Sequence, residues 1–378
     1  MKRAIQTALG FMVVLCLALA SLARPAGAHF RWDLPEWIPP PADNRITPAK
    51  VELVRHLFYD KRLSANQTVA CATCHQQARA FTDGKRTAVG ITREASKRNT
   101  MSLGNVGYFT SLTWGNPQIE SLEAQARIPI FGEHPVEMGM AGKEALLLKR
   151  LKTEPIYRQL FAKAFPEKAR ASAAQLYSLF TLTKALASFQ RTLLSFNSPY
   201  DRYKYGAEKN AISPAAQRGE ALFLGGKMDC YKCHGSLYFT DNVNHSRMVF
   251  PERGFHNTGL YNEDGKGIYP AGHAGIAEFT GRDDDMGKFR TPSLRNVALT
   301  APYMHDGSIA TLEEVILTHY AKKGRAVHAG KPANPLRSAL ISGFQVRDNE
   351  VRDLVEFLES LTDESFVKNP KFSIPSHQ

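Results

Sequence analysis

Two short cysteine motifs constrain this chain more than any other feature. The sequence reads Cys-x-x-Cys-His at residues 71–75 and again at residues 230–234. Each motif follows a Pro-Ala pair with Thr47 or Ser213 in front of it, and Phe-Thr-Asp comes after each. Thr and Ser are good helix N-caps and Pro suits the first helical turn. The matched order predicts two related units, each a capped helix leading into a Cys-x-x-Cys-His loop.

Each motif is the attachment signature of c-type haem. Two thiols one helical turn apart reach the two vinyl groups of the macrocycle, and the adjacent histidine can bind the iron. A zinc site or a redox pair would also use such cysteines, but no βαβ pattern and no second ligand pair accompanies them. A disulfide has no use for the trailing histidine. We therefore predict two covalent haems and no disulfides, with these attachment residues and proximal ligands: Cys71, Cys74, His75, Cys230, Cys233 and His234.

The first 28 residues have the pattern of a secretory signal peptide. Lys2 and Arg3 precede an apolar run, and Ala26-Gly27-Ala28 is a small-x-small cleavage site. We expect cleavage after Ala28 and export to the periplasm without a membrane anchor, since no other apolar span could cross a bilayer. The 43% hydrophobic and 22% charged composition is globular. The net charge of +12 is not gathered in a basic run, so no nucleic-acid partner is expected.

The rest of the chain reads as mainly helical. Apolar residues recur from Leu176 with helical spacing and predict a helix ending near Leu194, and two later helices are expected near 311–320 and 348–361. Residues 198–201 look like a linker, and residues 239–292 look like loops. We predict an all-α protein with two cytochrome c-like haem domains related by duplication, residues 29–200 and 201–378, with long irregular loops.

Several segments resemble the bacterial dihaem cytochrome c peroxidases and their MauG-type relatives. They are Pro-Val-Glu-Met-Gly at 135–139 and the runs at 289–297 and 299–307. Within that family, residues 112–117 and 131–135 are most similar to the MbnH-type branch. The resemblance covers nearly all of the chain after the signal peptide, and it implies hydrogen peroxide as the oxidant.

The resemblance also implies roles for three side chains near the haems. Glu137 matches a distal carboxylate that moves a proton between the two oxygens of peroxide. Gln125 matches a glutamine that orients peroxide or water, although a surface helix glutamine would look the same. Trp114 falls where the family has a tryptophan that carries electrons between the haems, although most buried tryptophans serve only in packing.

A calcium ion between the haems is a further implication. Thr300 and Pro302 match positions that offer backbone carbonyls, and Asn99 matches the side-chain ligand. Oxygen ligands of this kind suit a hard cation. Asn105 is a competing choice for the asparagine, and a structured loop without an ion is the alternative.

The iron ligands opposite the proximal histidines distinguish the branches of the family. The resemblance implies a methionine after the His-Asp-Gly loop in electron-fed peroxidases, but no methionine follows Met304 here. Tyr320 or His319 takes that place, depending on which flank is aligned, and a one-residue insertion within 315–318 would explain the conflict. We predict Tyr320, with His319 as the alternative. No histidine lies between His75 and Trp114, so we expect an open first haem, with His134 as the one competing distal ligand.

We therefore predict an exported dihaem enzyme that uses peroxide to oxidise a partner protein. The resemblance to MauG-type enzymes implies tryptophan as the oxidised residue, and the resemblance to the MbnH-type branch implies a product such as kynurenine. Two alternatives stay open. One is a cytochrome c peroxidase that takes electrons from a small cytochrome c or a cupredoxin. The other is a dihaem electron carrier without catalysis, which would need both irons to be six-coordinate.

Overall fold

Helices connected by long loops make up most of the protein in a computed structural model that describes residues 42–375. Only one small sheet interrupts the helices of the described residues, so the all-α prediction is confirmed. The predicted signal peptide, residues 1–28, and its cut after Ala28 lie outside the described residues. Within residues 42–375, no helix is both long and apolar enough to cross a bilayer.

The α-helices differ widely in length, from three residues to twelve. Their bounds are Pro48–Tyr59, Cys71–Cys74, Leu122–Gln125, Arg127–Phe131, Glu144–Thr153, Pro155–Ala164, Pro166–Ala171, Ala173–Leu176, Leu179–Gln190, Pro199–Tyr205, Pro214–Leu224, Tyr231–His234, Ala277–Thr280, Leu312–Glu314, Arg325–His328, Asp348–Glu359 and Glu364–Val367.

Other regular elements are short. A two-stranded antiparallel sheet pairs Phe255–Asn257 with Lys288–Arg290. A π-helix covers Val315–Tyr320. Single turns of 3-10 helix lie at Lys61–Leu63, Gln77–Arg79, Val106–Tyr108, Asp283–Asp285 and Val297–Leu299.

Both predicted helix caps are present. The Thr47 hydroxyl accepts a hydrogen bond from the Lys50 amide at 3.2 Å, and the Ser213 hydroxyl accepts one from the Ala216 amide at 3.0 Å. These bonds satisfy amides that have no partner inside the helix. The capped helices run from Pro48 and Pro214 toward their cysteine motifs, as predicted.

Two predicted boundaries were wrong. The expected linker at 198–201 is the start of the Pro199–Tyr205 helix, because the Ser198 hydroxyl accepts a hydrogen bond from the Asp201 amide and caps it. The helix predicted to run from Leu176 to Leu194 begins at Leu179 and ends at Gln190. Apolar residues continue the pattern beyond its end because the following turn is also buried.

Aromatic packing repeats between the two halves. The rings of Phe58 and Phe81 lie 6.0 Å apart at 72°, and those of Phe223 and Phe239 lie 5.9 Å apart at 67°. In both pairs, one ring comes from the capped helix and the other from the Phe-Thr-Asp segment. Phe81 and Phe239 also share a positive φ, 63° and 52°, which is unusual for a bulky residue. The two units thus repeat in three dimensions.

A second repeated segment was missed by the sequence reasoning. Ser-Leu-x-Asn-Val occurs at 102–106 and at 293–297. The Ser102 hydroxyl donates to the Ala80 carbonyl at 2.7 Å, and the Ser293 hydroxyl donates to the Tyr238 carbonyl at 2.6 Å. Each acceptor directly precedes the phenylalanine of a Phe-Thr-Asp segment. The serines therefore attach the second repeated segment to the first in the same way in each copy.

Two hydrophobic cores support these repeats. The first is built on Phe58, Phe81 and Phe189, and the second on Phe223, Phe239 and Phe357. Residues 366–372 come from the end of the chain, yet Phe366 and Phe372 pack in the first core. The division at residues 200 and 201 stays a prediction, since the tail of the second half contributes to the first core.

Candidate two-haem site

The two motif histidines have the same hydrogen bond. His75 Nδ1 lies 2.8 Å from the Phe81 carbonyl, and His234 Nδ1 lies 2.8 Å from the Phe239 carbonyl. A carbonyl only accepts, so each Nδ1 carries the proton and donates it. The lone pair is then on Nε2, and burial lowers the pKa of both imidazoles, which keeps them neutral. A neutral histidine with its second nitrogen fixed in this way is suited to bind iron.

The four motif cysteines are free thiols. Burial raises the pKa of Cys71, Cys74 and Cys230 to about 12. A reactive redox pair has the opposite property, because its thiolate is stabilised and its pKa is depressed. The thiols therefore fit covalent attachment of a cofactor better than disulfide exchange.

The first motif opens onto a cavity that holds the predicted distal residues. Cys71, Cys74 and His75 line it together with Glu137 and Gln125. Burial raises the pKa of Glu137. A carboxyl group in such a cavity can both take up and return a proton.

The chain around Gly90 fixes the position of Glu137. The Ile91 amide donates to the Glu137 carbonyl at 2.9 Å. A Cβ on Gly90 would lie 2.0 Å from the Val136 carbonyl oxygen and 2.8 Å from the Glu137 Cα. Only glycine allows the two segments to approach this closely. The sequence reasoning missed this contact, because nothing in the sequence pairs residue 90 with residue 137.

Two further residues line this cavity, and one predicted candidate does not. Gln190 and Ser96 also line it, and neither was predicted. His134, the competing distal ligand, is exposed and is not among the residues that line the cavity. The expectation of an open first haem is therefore supported and stays a prediction.

The second motif opens onto a larger cavity, and only one of the two candidate axial ligands lines it. Tyr320 lines it with Cys230, Cys233 and His234, whereas His319 does not. His319 is fully buried, and its Nδ1 accepts a hydrogen bond from the Arg325 amide at 2.9 Å. Burial and the nearby cysteines raise the pKa of Tyr320. This arrangement favours Tyr320, which stays a prediction as the axial ligand.

The π-helix explains why the two alignments disagreed. Val315–Tyr320 contains the stretch where a one-residue insertion was expected. A π-helical turn accommodates one more residue than an α-helical turn and is often found at functional sites. The π-helix is therefore compatible with the expected insertion, which stays a prediction, and Tyr320 at its end lines the cavity.

Trp114 lines the cavity of the second motif. Its indole Nε1 donates to the Asn99 carbonyl at 2.8 Å. The Asn99 amide in turn donates to the His305 carbonyl at 2.8 Å, and the Arg290 amide donates to the Trp114 carbonyl at 2.9 Å. The Asn99 bond joins the segment before the first Ser-Leu-x-Asn-Val to a residue that follows the second copy. The Arg290 bond joins the segment before the second copy to a residue that follows the first. Trp114 is thus held where the two copies meet.

The three candidate calcium ligands line one cavity. Asn99, Thr300 and Pro302 all line the cavity that contains Trp114. The competing Asn105 is fully occupied elsewhere: its Nδ2 donates to the Ser195 carbonyl at 3.0 Å and its Oδ1 accepts from the Ser195 amide at 2.9 Å. The geometry supports Asn99 over Asn105. Calcium binding itself stays a prediction.

Buried polar atoms test whether this cavity fits a haem. Arg290 and His305 line it, and Arg290 Nε and Nη1 and His305 Nε2 are buried without a hydrogen-bond partner. Burial lowers the pKa of His305 to about 3, so its imidazole is neutral. Unpaired donors of this kind are costly unless a ligand pairs with them. A group with a large apolar face and two carboxylates, as haem is, fits these walls.

One metal-like cluster in the described residues was not predicted. Donor atoms of Cys233, Asp241 and His256 lie within 4.8 Å of one another. His256 Nε2 lies 2.6 Å from Asp241 Oδ2. The cluster uses the sulfur that the second motif needs for haem attachment, so the two uses exclude each other. The first motif has the equivalent Asp83 but no histidine in this place.

Comparisons with known proteins bear on the whole chain. Residues 48–209 match the family model described as di-haem cytochrome c peroxidase. The chain is 38% identical to methylamine utilization protein MauG of Methylorubrum extorquens, with 90% of this chain and 85% of that protein covered. It is 33% identical to a cytochrome-c peroxidase of Denitromonas iodatirespirans, with 95% and 93% covered.

A solved structure gives a similar result. The crystal structure of a MauG-like protein associated with microbial copper homeostasis is 46% identical in sequence and superposes with a TM-score of 0.84. It covers 92% of this chain and 99% of that one.

Proposed function

This chain belongs to the dihaem cytochrome c peroxidase and MauG family, and we propose that this haem-dependent oxidoreductase uses peroxide to oxidise tryptophan side chains of a partner protein. Peroxidase-type chemistry follows from the family itself. The choice of a protein as the electron source is our proposal. The signal-like first 28 residues lead us to propose the periplasm as its location.

Tyr320 is the observation that carries the proposal. It lines the second cavity at the position where an electron-fed peroxidase would have a methionine. A thioether ligand raises the potential of a haem, and a phenolate lowers it. A lower potential favours holding an oxidising equivalent over collecting electrons from a small carrier. The tyrosine therefore supports oxidation of a partner over the cytochrome c peroxidase alternative.

Glu137 supplies the proton transfer that peroxide cleavage needs. Its carboxylate takes the proton from the near oxygen and gives it to the far oxygen, which leaves as water. Gln125 in the same cavity can orient the peroxide by a hydrogen bond through its amide. Cys71, Cys74 and His75 would hold a haem in this cavity, and that haem would supply redox chemistry for the cleavage of peroxide.

Trp114 and Tyr320 lie on the route by which the oxidising equivalent moves from the first haem site toward the partner protein. The indole ring of Trp114 lies in the second cavity and is fixed by its bond to the Asn99 carbonyl. Electron transfer from the second site to the first through this ring leaves the oxidising equivalent near Tyr320. Peroxide takes up two electrons and two protons to form two waters. The partner tryptophan provides those electrons, and one water adds to the oxidised ring with release of two protons, so that one oxygen stays on the tryptophan.

The similar MauG-like protein of known structure is associated with microbial copper homeostasis. We extend this association to the choice of partner and propose an exported protein that takes part in copper handling. Recognition of an acidic partner would agree with the net charge of +12, since charge complementarity steers association.

The test compares two fates of peroxide. Holoenzyme and peroxide are incubated with exported proteins of the source organism, and peptides are analysed by mass spectrometry for oxygen added to tryptophan. The Glu137→Gln variant under the same conditions is the control. Tryptophan oxidation that needs both peroxide and Glu137 supports the proposal. Fast oxidation of a reduced small cytochrome c without any modified tryptophan would overturn it in favour of the peroxidase alternative.

An optical spectrum of the oxidised holoprotein tests the carrier alternative. A high-spin fraction is expected, because the first iron has an open face. A wholly low-spin spectrum would argue for two six-coordinate irons and against catalysis.

A further inference from the structure

Within residues 42–375, Arg290 is a buried cation that has no ion-pair partner in contact, although Asp241 is near enough to raise its pKa. The Arg290 side chain is only 3% exposed, and Nε and Nη1 have no hydrogen-bond partner. Nη2 has only the weakly accepting Met101 sulfur at 3.7 Å. The guanidinium also lies 5.1 Å from the centre of the Phe109 ring. None of these contacts carries the negative charge that a buried guanidinium needs.

Two other buried arginines each have a carboxylate partner. Arg295 holds both oxygens of Asp201 at 2.8 and 2.9 Å, and Arg191 holds both oxygens of Glu123 at the same two distances. Both are bidentate pairs, the geometry that a guanidinium prefers. Arg290 differs from them because it has no carboxylate hydrogen-bond partner among the described residues, although it lines the cavity of the second motif. Burial lowers the pKa of Arg290 to about 9, in keeping with a missing partner.

His305 adds a second unpaired atom to the same wall. Its ring stacks on Phe289 at 3.7 Å, and its Nε2 is buried without a partner. Phe289 directly precedes Arg290, so both side chains belong to one stretch of cavity wall. The lining of the same cavity also contains Cys230 and Cys233, the predicted attachment residues.

A haem attached through its vinyl groups has its two propionates on the other edge of the ring. We propose that Arg290 forms an ion pair with a propionate of the second haem and that His305 Nε2 hydrogen-bonds to the propionate edge. The two residues neutralise a carboxylate that would otherwise be buried, and they fix the rotation of the macrocycle beneath Tyr320. This proposal depends on haem at the second motif and not on what the enzyme oxidises.

The test uses the purified holoprotein and two observables that do not depend on turnover. The first is the propionate bending band in the resonance Raman spectrum, which responds to hydrogen bonds at the carboxylate. The second is the midpoint potential of each haem at fixed pH. The variants are Arg290→Met, which removes the charge, and Arg290→Lys, which keeps the charge but loses the planar pair of donors. Arg218→Met, on an exposed arginine that pairs with Asp353, is the matched control.

Arg290→Met should shift the propionate band and lower the potential of the second haem, because loss of a cation favours the oxidised iron. Arg290→Lys should shift the band while changing the potential less. Arg218→Met should change neither. A distant electrostatic role for Arg290 would move the potential without moving the band, and this result would overturn the proposal.

A buried inorganic anion is an alternative source of negative charge. Titration of the wild-type holoprotein with phosphate tests it: an unchanged band and unchanged potentials are expected. Potentials that follow the phosphate concentration would also overturn the proposal. If Arg290→Met is isolated with fewer than two haems, the propionate band of Arg290→Lys still tests the proposal.

Discussion

Trp114 and His305 occupy equivalent positions in the two copies of a repeated segment. Each follows the valine of Ser-Leu-x-Asn-Val, Val106 or Val297, by eight residues. The carbonyl of each accepts a backbone hydrogen bond from the other copy, Trp114 from Arg290 at 2.9 Å and His305 from Asn99 at 2.8 Å. The exchange is reciprocal, as in a local twofold relation.

The two copies have diverged in chemistry at this contact. The first offers an indole at Trp114 and an amide at Asn99, and the second offers an imidazole at His305 and a guanidinium at Arg290. All four residues line the same cavity. One copy thus provides groups suited to electron transfer and cation binding, and the other provides groups suited to carboxylates. The two copies share the same backbone hydrogen bonds, and different side chains at equivalent positions give them different chemistry.

Replacement of Glu137 should slow the reaction with peroxide. Glu137→Gln removes the proton carrier and should lower the rate by about a hundredfold or more. Stopped-flow measurement of the spectral change after mixing with peroxide tests this. The exposed Glu133→Gln is the control and should react normally.

The pH dependence of the same reaction follows from the burial of Glu137. Burial raises its pKa, so the carboxylate base is present only above a pKa higher than that of an ordinary glutamate. The rate should fall as the pH drops through that raised pKa, and Glu137→Gln should lose this dependence. An identical pH profile in both proteins would remove Glu137 from the proton transfer.

Gly90→Ala should act on Glu137 from a distance. The new Cβ would meet the Val136 carbonyl oxygen and force the two segments apart. We expect a loss of about 1–3 kcal/mol in stability, as for other overpacked sites, and slower reaction with peroxide. Both haems should still attach, because Gly90 is not in either motif. Normal peroxide kinetics in a destabilised variant would show that the contact is only structural.

The sequence predicted the local features of this site well and the non-local ones poorly. The caps at Thr47 and Ser213 and the two motif histidines could be predicted because their partners lie within a few residues. Glu137 and Gln125 could be named only through the family resemblance. Gly90 and Gln190 were missed, because their contacts join segments that are far apart in sequence and carry no motif. The repeated segment around Asn105 and Asn296 was present in the sequence, but its spacing from the cysteine motifs differs between the copies.

The choice between Tyr320 and His319 shows a different limit. A one-residue difference in a helix turns a side chain by about 100°, since an α-helix has about 3.6 residues per turn. The sequence could therefore place a ligand on this helix without saying which residue faces the cavity. The π-helical turn sets which side chain faces the cavity, and no residue type within 315–320 indicates a π-helix from the sequence alone.

Tyr320→Phe should remove the proposed axial ligand of the second haem iron while leaving the helix intact. We expect a new high-spin signal from the second haem in optical and electron paramagnetic resonance spectra. His319→Asn is the matched control: an asparagine carbonyl can still accept the Arg325 amide bond, and the spectrum should not change. The reverse result, with the spectrum changed only by His319→Asn, would identify His319 as the ligand.

A calcium ion at Asn99 can be tested by metal analysis. The holoprotein should contain one calcium per chain, and Asn99→Ala should contain none while keeping both haems. Asn105→Ala should instead lower stability by about 1–3 kcal/mol, because it leaves the buried Ser195 backbone groups unpaired. Equal calcium content in wild type and Asn99→Ala would remove Asn99 from the set of ligands.

Trp114→Phe should separate peroxide cleavage from electron sharing. The variant keeps an aromatic ring in the cavity but loses the indole, which is easier to oxidise, and the bond to the Asn99 carbonyl. The first haem should react with peroxide at a normal rate because Glu137 is untouched. Oxidation of the second haem, followed separately by its optical bands after rapid mixing, should be slower by a factor of about ten or more, which corresponds to a barrier raised by about 1.4 kcal/mol or more. Tyr303→Phe, another aromatic residue of the same cavity, is the control and should share electrons normally. Fast oxidation of the second haem in Trp114→Phe would show that electrons pass between the haems by a route other than the indole.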